Sequence, residues 1–313
     1  MTPPSHLQWR AVNESKLLTG MRVVVFALNL PGPAAGARLA ANGASVVKIE
    51  PAVGDRFAAT EPEFYREVHA GVEILRVDLR GADARAALEQ QLAHADVFIT
   101  AFRPASLERL ALDAASIRAK FPRLCHVAIV GQSGAEGDIA GHDLTYQAAS
   151  GLLFGGAMPS TLIADLVGIE RAVSATFALL LARANGSHDL YAEVALADGA
   201  HDFAGPLRLG LTTSTGVLGG TNPFYSIYQT NNGLLALAVL EEKFWRRLLQ
   251  LLPSELHGIG MSVAERESVL ALNASSEELR GLLEQLFMLR SAAEWEGWGR
   301  VNDLPMTAVR QSV

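Results

Sequence analysis

The run Gly141-His142-Asp143-Leu144-Thr145-Tyr146, with an isolated Asp165 at the start of a long apolar stretch, supplies an imidazole and a carboxyl group. Set on opposite sides of one carbon atom, such a pair could take a proton from one face and return it on the other. Imidazole suits the task because its ordinary pKa lies near neutrality. A carboxyl must be raised into that range by partial burial. The apolar stretch after Asp165 offers desolvation. A helix N-terminus there would oppose it by favouring the anion, while offering amide donors to a developing oxyanion. Each residue also has a plainer reading. Asp165 is a favoured N-cap for a helix beginning at Leu166, His142 an ordinary loop histidine, and Asp143 a local backbone acceptor that holds the loop.

Little else competes chemically. The one cysteine, Cys125, excludes an intrachain disulfide and a zinc cluster of cysteines, and its setting in Leu124-Cys125-His126-Val127-Ala128-Ile129-Val130 reads as a buried strand. His69, His188 and His201 have no metal-like spacing, no Gly-x-Ser-x-Gly elbow or His-x-x-x-His pair occurs, and no metal is expected. A net charge of −7 gives no support to a nucleic-acid role. The apolar runs are too short to cross a bilayer, and residues 1–18 contain no apolar core of a signal peptide, so a cytoplasmic protein is expected.

The elements that must position these groups follow from periodicity. At 313 residues and 50% hydrophobic, the chain can bury a substantial core. A β-rich run at 21–27, a small-residue helix at 34–42 with Gly43 as its C-cap, and a strand at 45–50 make a βαβ unit. A helix at 82–93, a strand at 97–101, one mostly helical stretch at 106–120 and a strand at 124–130 continue the alternation. Alternating strands and helices imply an α/β class with a parallel sheet covered on both faces, so the first 130 residues look Rossmann-like. The first turn reads Pro31-Gly32-Pro33 rather than Gly-x-Gly-x-x-Gly, so a dinucleotide site is not supported. The stretch 163–184 predicts a helix apolar nearly all round and therefore buried, and 191–197 a further strand. A Gly- and Thr-rich linker is expected at 201–221. Beyond it, 224–239 predicts a β-hairpin around Asn231-Asn232-Gly233 and 244–252 and 275–289 predict amphipathic helices. The domains so read are 1–200 (large), 201–221 (linker) and 222–313 (small).

Several motifs in fixed order carry a family resemblance. They are Gly20-Met21-Arg22-Val23-Val24 with Gly32-Pro33, then Asn42 through Pro51, then Ala95-Asp96-Val97-Phe98-Ile99 through Phe102-Arg103-Pro104 and Glu108-Arg109-Leu110, then Pro122-Arg123-Leu124 and Gly141-His142-Asp143. On these the chain resembles the family III CoA-transferases (CaiB/BaiF), nearest the α-methylacyl-CoA racemase branch. The resemblance implies a large Rossmann-like domain, a smaller α+β domain and two chains interlocked as a homodimer. It gives His142 and Asp165 the places of the racemase's histidine and the family's aspartate, and Glu241 that of the glutamate paired with the histidine. Read alone, Glu241-Glu242-Lys243 is a solvated helix start.

The activity expected is cofactor-independent epimerisation of 2-methylacyl-CoA thioesters, with coenzyme A part of the substrate and no separate cofactor. A CoA-transferase using Asp165 as nucleophile through an aspartyl-CoA thioester is the alternative. A non-catalytic CoA-binding paralogue is a third reading, raised by Leu166-Val167-Gly168-Ile169 in place of a Gly-rich segment. Arg103 and Arg109 are candidates for the CoA phosphates, against surface salt bridges, because guanidinium forks match phosphate geometry. Lys48, closing a strand, is a further candidate against simple solvation, and Gly141 ends a loop (131–141) suited to lie along the pantetheine arm.

Overall fold

The computed structural model describes residues 16–78, 81–255 and 275–310. The chain divides into two compact units, one running to Ala204 and the other from Gly205. The first unit is built on six parallel strands: β1 (Arg22–Phe26), β2 (Ser45–Pro51), β3 (Val72–Val77), β4 (Val97–Thr100), β5 (Cys125–Val130) and β6 (Tyr191–Ala195). Their order is β3-β2-β1-β4-β5-β6. This is the order of doubly wound sheets, in which the chain leaves β1 in one direction and later returns to its other side. The loops after β1 and β4 therefore part, opening a crevice at the carboxyl ends of the strands.

Alternation along β1 decides the two cores. Val23 and Val25 face a cluster shared with α1 (Pro31–Ala41) and the 22-residue α8 (Ile163–Ala184). Val24 and Phe26 face a second cluster, shared with α4 (Ala82–Ala93), α5 (Pro104–Arg109) and α6 (Ala114–Lys120). Each fully buried Val, Ile or Leu here contributes about 1.5–3 kcal/mol relative to exposure. Pro31 opens α1, where its missing N–H costs nothing. At Gly32 a Cβ would lie 2.2 Å from that of Ala27, so only glycine lets the helix start this close to the end of β1.

Several expectations are corrected. The helix α8 has the predicted span but one buried face, formed by Ala164, Gly168, Ile169, Ala172, Thr176 and Leu179, while Leu166 and Leu181 are exposed. The single helix expected over 106–120 is two, because Ala111 adopts a left-handed φ of 51° and Asp113 caps a new start through the amides of Ala115 and Ser116. Between β2 and β3 lie two short helices, α2 (Phe57–Thr60) and α3 (Pro62–Val68), none of which periodicity disclosed. After α7 (Asp143–Ala149) and α8, β6 stops at Ala195 and the chain turns directly into α9 (Leu196–Phe203). The stretch read as a linker carries the end of α9 and one helical turn, α10 (Gly205–Arg208).

In the second unit β7 (Tyr225–Gln229), β8 (Leu234–Ala238) and β9 (Met306–Ala308) form an antiparallel sheet in that order. The predicted turn is present, with Gly233 at φ 96° and Thr230 donating its N–H to the Gly233 carbonyl. Helices α11 (Glu242–Glu255), α12 (Ser276–Phe287) and α13 (Ala292–Val301) supply Leu248, Leu283, Phe287 and Trp295 to one core with Tyr228 and Leu235. Among the described residues no helix is long and apolar enough to cross a membrane.

His126, in the middle of β5, yields a test of the sheet. It stacks on Phe98, its Nε2 lies 3.2 Å from the Thr100 hydroxyl, and its buried Nδ1 has no hydrogen-bond partner. Burial lowers its pKa to about 4. The unfolded chain therefore binds the proton first, and stability should decline as pH falls from about 6.5 towards 4. Urea unfolding at pH 7 and pH 4.5 should show about 2 kcal/mol of this decline removed by His126→Phe. Equal declines in the two proteins would refute the assignment.

Candidate active site

A cavity of about 260 Å³ occupies the crevice between the loops after β1 and β4, and lies wholly within the first unit. Leu28, Asn29 and Pro31 line one side, Ala101, Phe102 and Arg103 another, and Val130 and Gly131 close it below. Gly141, His142, Tyr146 and Asp165 complete the wall. A second, largely apolar groove of about 490 Å³ runs along the ends of β1, β2 and β3, and shares Leu28 and Phe102 with the first.

Asp165 is not the N-cap read from sequence. The helix α8 begins at Ile163 after Leu162, so Asp165 stands in its first turn and its carboxyl is free to face the cavity. The capping function is supplied from a distance. Buried Asp143 accepts the backbone N–H of Asp165 at 3.1 Å through one carboxylate oxygen and the Gln147 amide at 2.5 Å through the other. Gln147 in turn donates to the Thr161 carbonyl, stitching the segment before α8 to α7. Asp143 thus acts across 22 residues rather than only within its own loop.

Burial first, and the Asp143 charge second, push the Asp165 carboxyl up to about 7. At neutral pH it exists in both protonation states, which is what an acid and base of equal competence requires. His142 precedes α7. Its backbone N–H and carbonyl both meet the Thr145 hydroxyl, at 3.1 and 2.7 Å, which fixes the main chain. One cavity therefore holds a pinned histidine and a carboxyl poised for proton exchange.

Of the remaining candidates, Arg103 lines the cavity from the N-cap of α5, exposed and without an acidic partner among the described residues. Arg109, at the far end of α5, is exposed and bonds Ser106, outside the lining of this cavity. Glu241 belongs to the second unit, exposed just before α11, where its carbonyl receives the Phe244 and Trp245 amides.

Lys48 is corrected outright. It is fully buried, and its ammonium lies 2.8 Å from Asp55, 2.9 Å from Glu50 and 2.7 Å from His69 Nε2, so its three donors are taken and no phosphate can reach it. His69 Nδ1 meets the Tyr65 carbonyl at 2.6 Å and so carries the proton, leaving Nε2 to accept from Lys48. Glu50, Asp55 and His69 have metal-ligand spacing, but the ammonium stands where an ion would. The cluster serves the cavity indirectly, because Asp55 also accepts the N–H of Asn29, holding that residue at a left-handed φ of 63° in the cavity wall. Sequence reasoning missed this network, and gave Tyr146 and Gln147 no role.

The model of the CoA-transferase family III matches residues 18–312. This chain belongs to that family. An alpha-methylacyl-CoA racemase of Mus musculus is 28% identical over 299 residues, covering 89% of this chain and 74% of the relative. A succinate–glutarate CoA-transferase of Agrobacterium fabrum is 30% identical over 284 residues, covering 82% and 70%. A crystal structure of a hypothetical protein from Mycobacterium tuberculosis superposes with a TM-score of 0.77 at 24% identity, over 94% of this chain and 85% of that one, and shares the fold. Family III thus includes both racemases and transferases at similar distance from this sequence.

The raised carboxyl predicts a stability signature. The folded chain holds the Asp165 proton more tightly than the unfolded one, so stability should decline as pH rises from about 4 to 7. Asp165→Asn abolishes that term. Between pH 5 and pH 8 the wild type should lose on the order of 2 kcal/mol relative to the variant in urea unfolding. A constant difference between the two would contradict the assignment.

Proposed function

We propose that this family III protein epimerises 2-methylacyl-CoA thioesters by moving the α-proton between His142 on one face of the carbon and Asp165 on the other. The observation that carries the reading is that His142 and Asp165 line one cavity, with the Asp165 carboxyl near pH 7. A thioester acidifies its α-carbon because the departing proton leaves an enolate with its charge largely on oxygen. A neutral imidazole accepts the proton while protonated Asp165 delivers another from the opposite side, and the reverse reaction exchanges the roles. No net charge or redox change results, and no separate cofactor enters.

The rest of the ligand follows the crevice. Arg103 is positioned for a phosphate at the mouth, and the apolar groove that shares Leu28 and Phe102 suits the nucleotide base. The working form is a homodimer, in which exposed Phe154, Met158 and Leu181 would be covered by a second copy.

A second reading has support from the Agrobacterium fabrum relative, itself named a CoA-transferase. In it the Asp165 carboxylate attacks the thioester carbonyl and expels the CoA thiolate, giving an aspartyl anhydride that CoA reopens to an aspartyl-CoA thioester. A carboxyl with a pKa near 7 is half acid and half carboxylate at neutral pH, so both the proton donor of the first reading and the nucleophile of the second are populated.

Proton NMR of (2R)- and (2S)-2-methylacyl-CoA in heavy water decides between them. Loss of the α-proton signal at equal rates for product and exchange is expected. His142→Ala or Asp165→Asn should each slow it at least about 100-fold. Absence of exchange in the wild type, with hydroxylamine trapping at Asp165, would give the transferase reading instead.

A further inference from the structure

We propose that Tyr146 is a third catalytic residue of this cavity, donating its phenolic O–H to the thioester carbonyl oxygen. The proposal rests on an acyl-CoA occupying the cavity as described above. Tyr146 lies one helical turn beyond His142, its ring is buried, and it lines the cavity with Asp165 and Arg103. Buried tyrosines usually direct their hydroxyl to a partner. This hydroxyl has none among the described residues, so its donor is left for whatever fills the cavity.

Its position is enforced by two glycines. A Cβ at Gly131 would lie 2.3 Å from the Tyr146 oxygen, and one at Gly141 would lie 2.5 Å from it. Gly131 follows β5 and Gly141 precedes His142, so the phenol is threaded between the two backbones that bring the sheet and the histidine together. Any side chain at either position would displace the hydroxyl. Asp165 and Arg103 are both within electrostatic reach of it, with burial and the Asp165 charge raising its pKa and the Arg103 charge opposing them. The phenol therefore remains protonated at neutral pH and acts as a donor.

The chemistry needs such a donor. As the α-proton leaves for His142 or Asp165, negative charge gathers on the carbonyl oxygen, and a preset O–H bond strengthens with it. Tyr146 keeps its proton throughout, so the transfer remains between carbon and the two bases. The α8 amide of Asp165 is already taken by Asp143, which removes one backbone donor that a helix start would otherwise supply.

The test uses Tyr146→Phe in the full chain, with the Tm checking that the ring still packs. Two probes are titrated calorimetrically: 2-methylbutanoyl-CoA and its thioether analogue, which lacks the carbonyl oxygen. The variant should weaken the thioester about fivefold and leave the thioether unchanged. Gly131→Ala, which displaces the hydroxyl without deleting it, should do the same. In heavy water, α-proton exchange by Tyr146→Phe should fall about 100-fold with little change in KM. Equal weakening of both probes, a wild-type chain that binds neither, or exchange at the wild-type rate would each overturn the proposal. A wild type that shows no exchange removes the epimerase reading, while the pair of binding titrations still judges Tyr146.

Discussion

The site depends on the bond between the Asp143 carboxylate and the backbone N–H of Asp165. Asp143 is the residue next to His142, and Asp165 stands in the first turn of the 22-residue helix α8, so this one contact ties the segment carrying His142 to the head of the helix carrying Asp165. Its electrostatic consequence matters equally. A buried carboxylate beside a second, partly buried carboxyl makes ionisation of the latter costly, which adds to desolvation. Hydrogen bonds to a charged group are worth about 1.5–3 kcal/mol, and the Gln147 amide adds a second one that holds the Asp143 carboxyl group in place.

A second buried network supports the opposite wall. Lys48 pairs with both Glu50 and Asp55 inside the sheet edge, Arg76 adds a second cation on Glu50, and Asp55 passes the constraint to Asn29 through its amide. Removing either acid would leave the buried Lys48 ammonium with one carboxylate partner in place of two. The cavity is thus held between two sets of buried charges, one under the loop after β1 and one behind the head of α8. Between them the cavity wall mixes apolar side chains such as Leu28, Phe102 and Ile129 with the polar Asn29, Arg103, His142, Tyr146 and Asp165.

Elements with a strong period were legible in the sequence. The helix Ile163–Ala184 could be bounded from its apolar run, and β1, β2, β4 and β5 from their β-branched residues. The edge strand β3 was not, because Glu73 and Arg76 interrupt Val72–Val77 and its residues are only partly buried. The break at Ala111 escaped notice since it rests on one left-handed residue. In the site, residue type and motif marked His142 and Asp165. They could not mark Lys48 as buried, as its partners come from positions 50, 55 and 69. Nor could they place the Tyr146 hydroxyl, which packs against Gly131 after β5 as well as against nearby Gly141.

The most direct measurement is a carbon-13 NMR titration of the Asp165 carboxyl in the full chain, assigned by its loss in Asp165→Asn. The account predicts a midpoint near 7 that moves downward in Asp143→Asn. A midpoint near 4, unmoved by the Asp143 substitution, would contradict it.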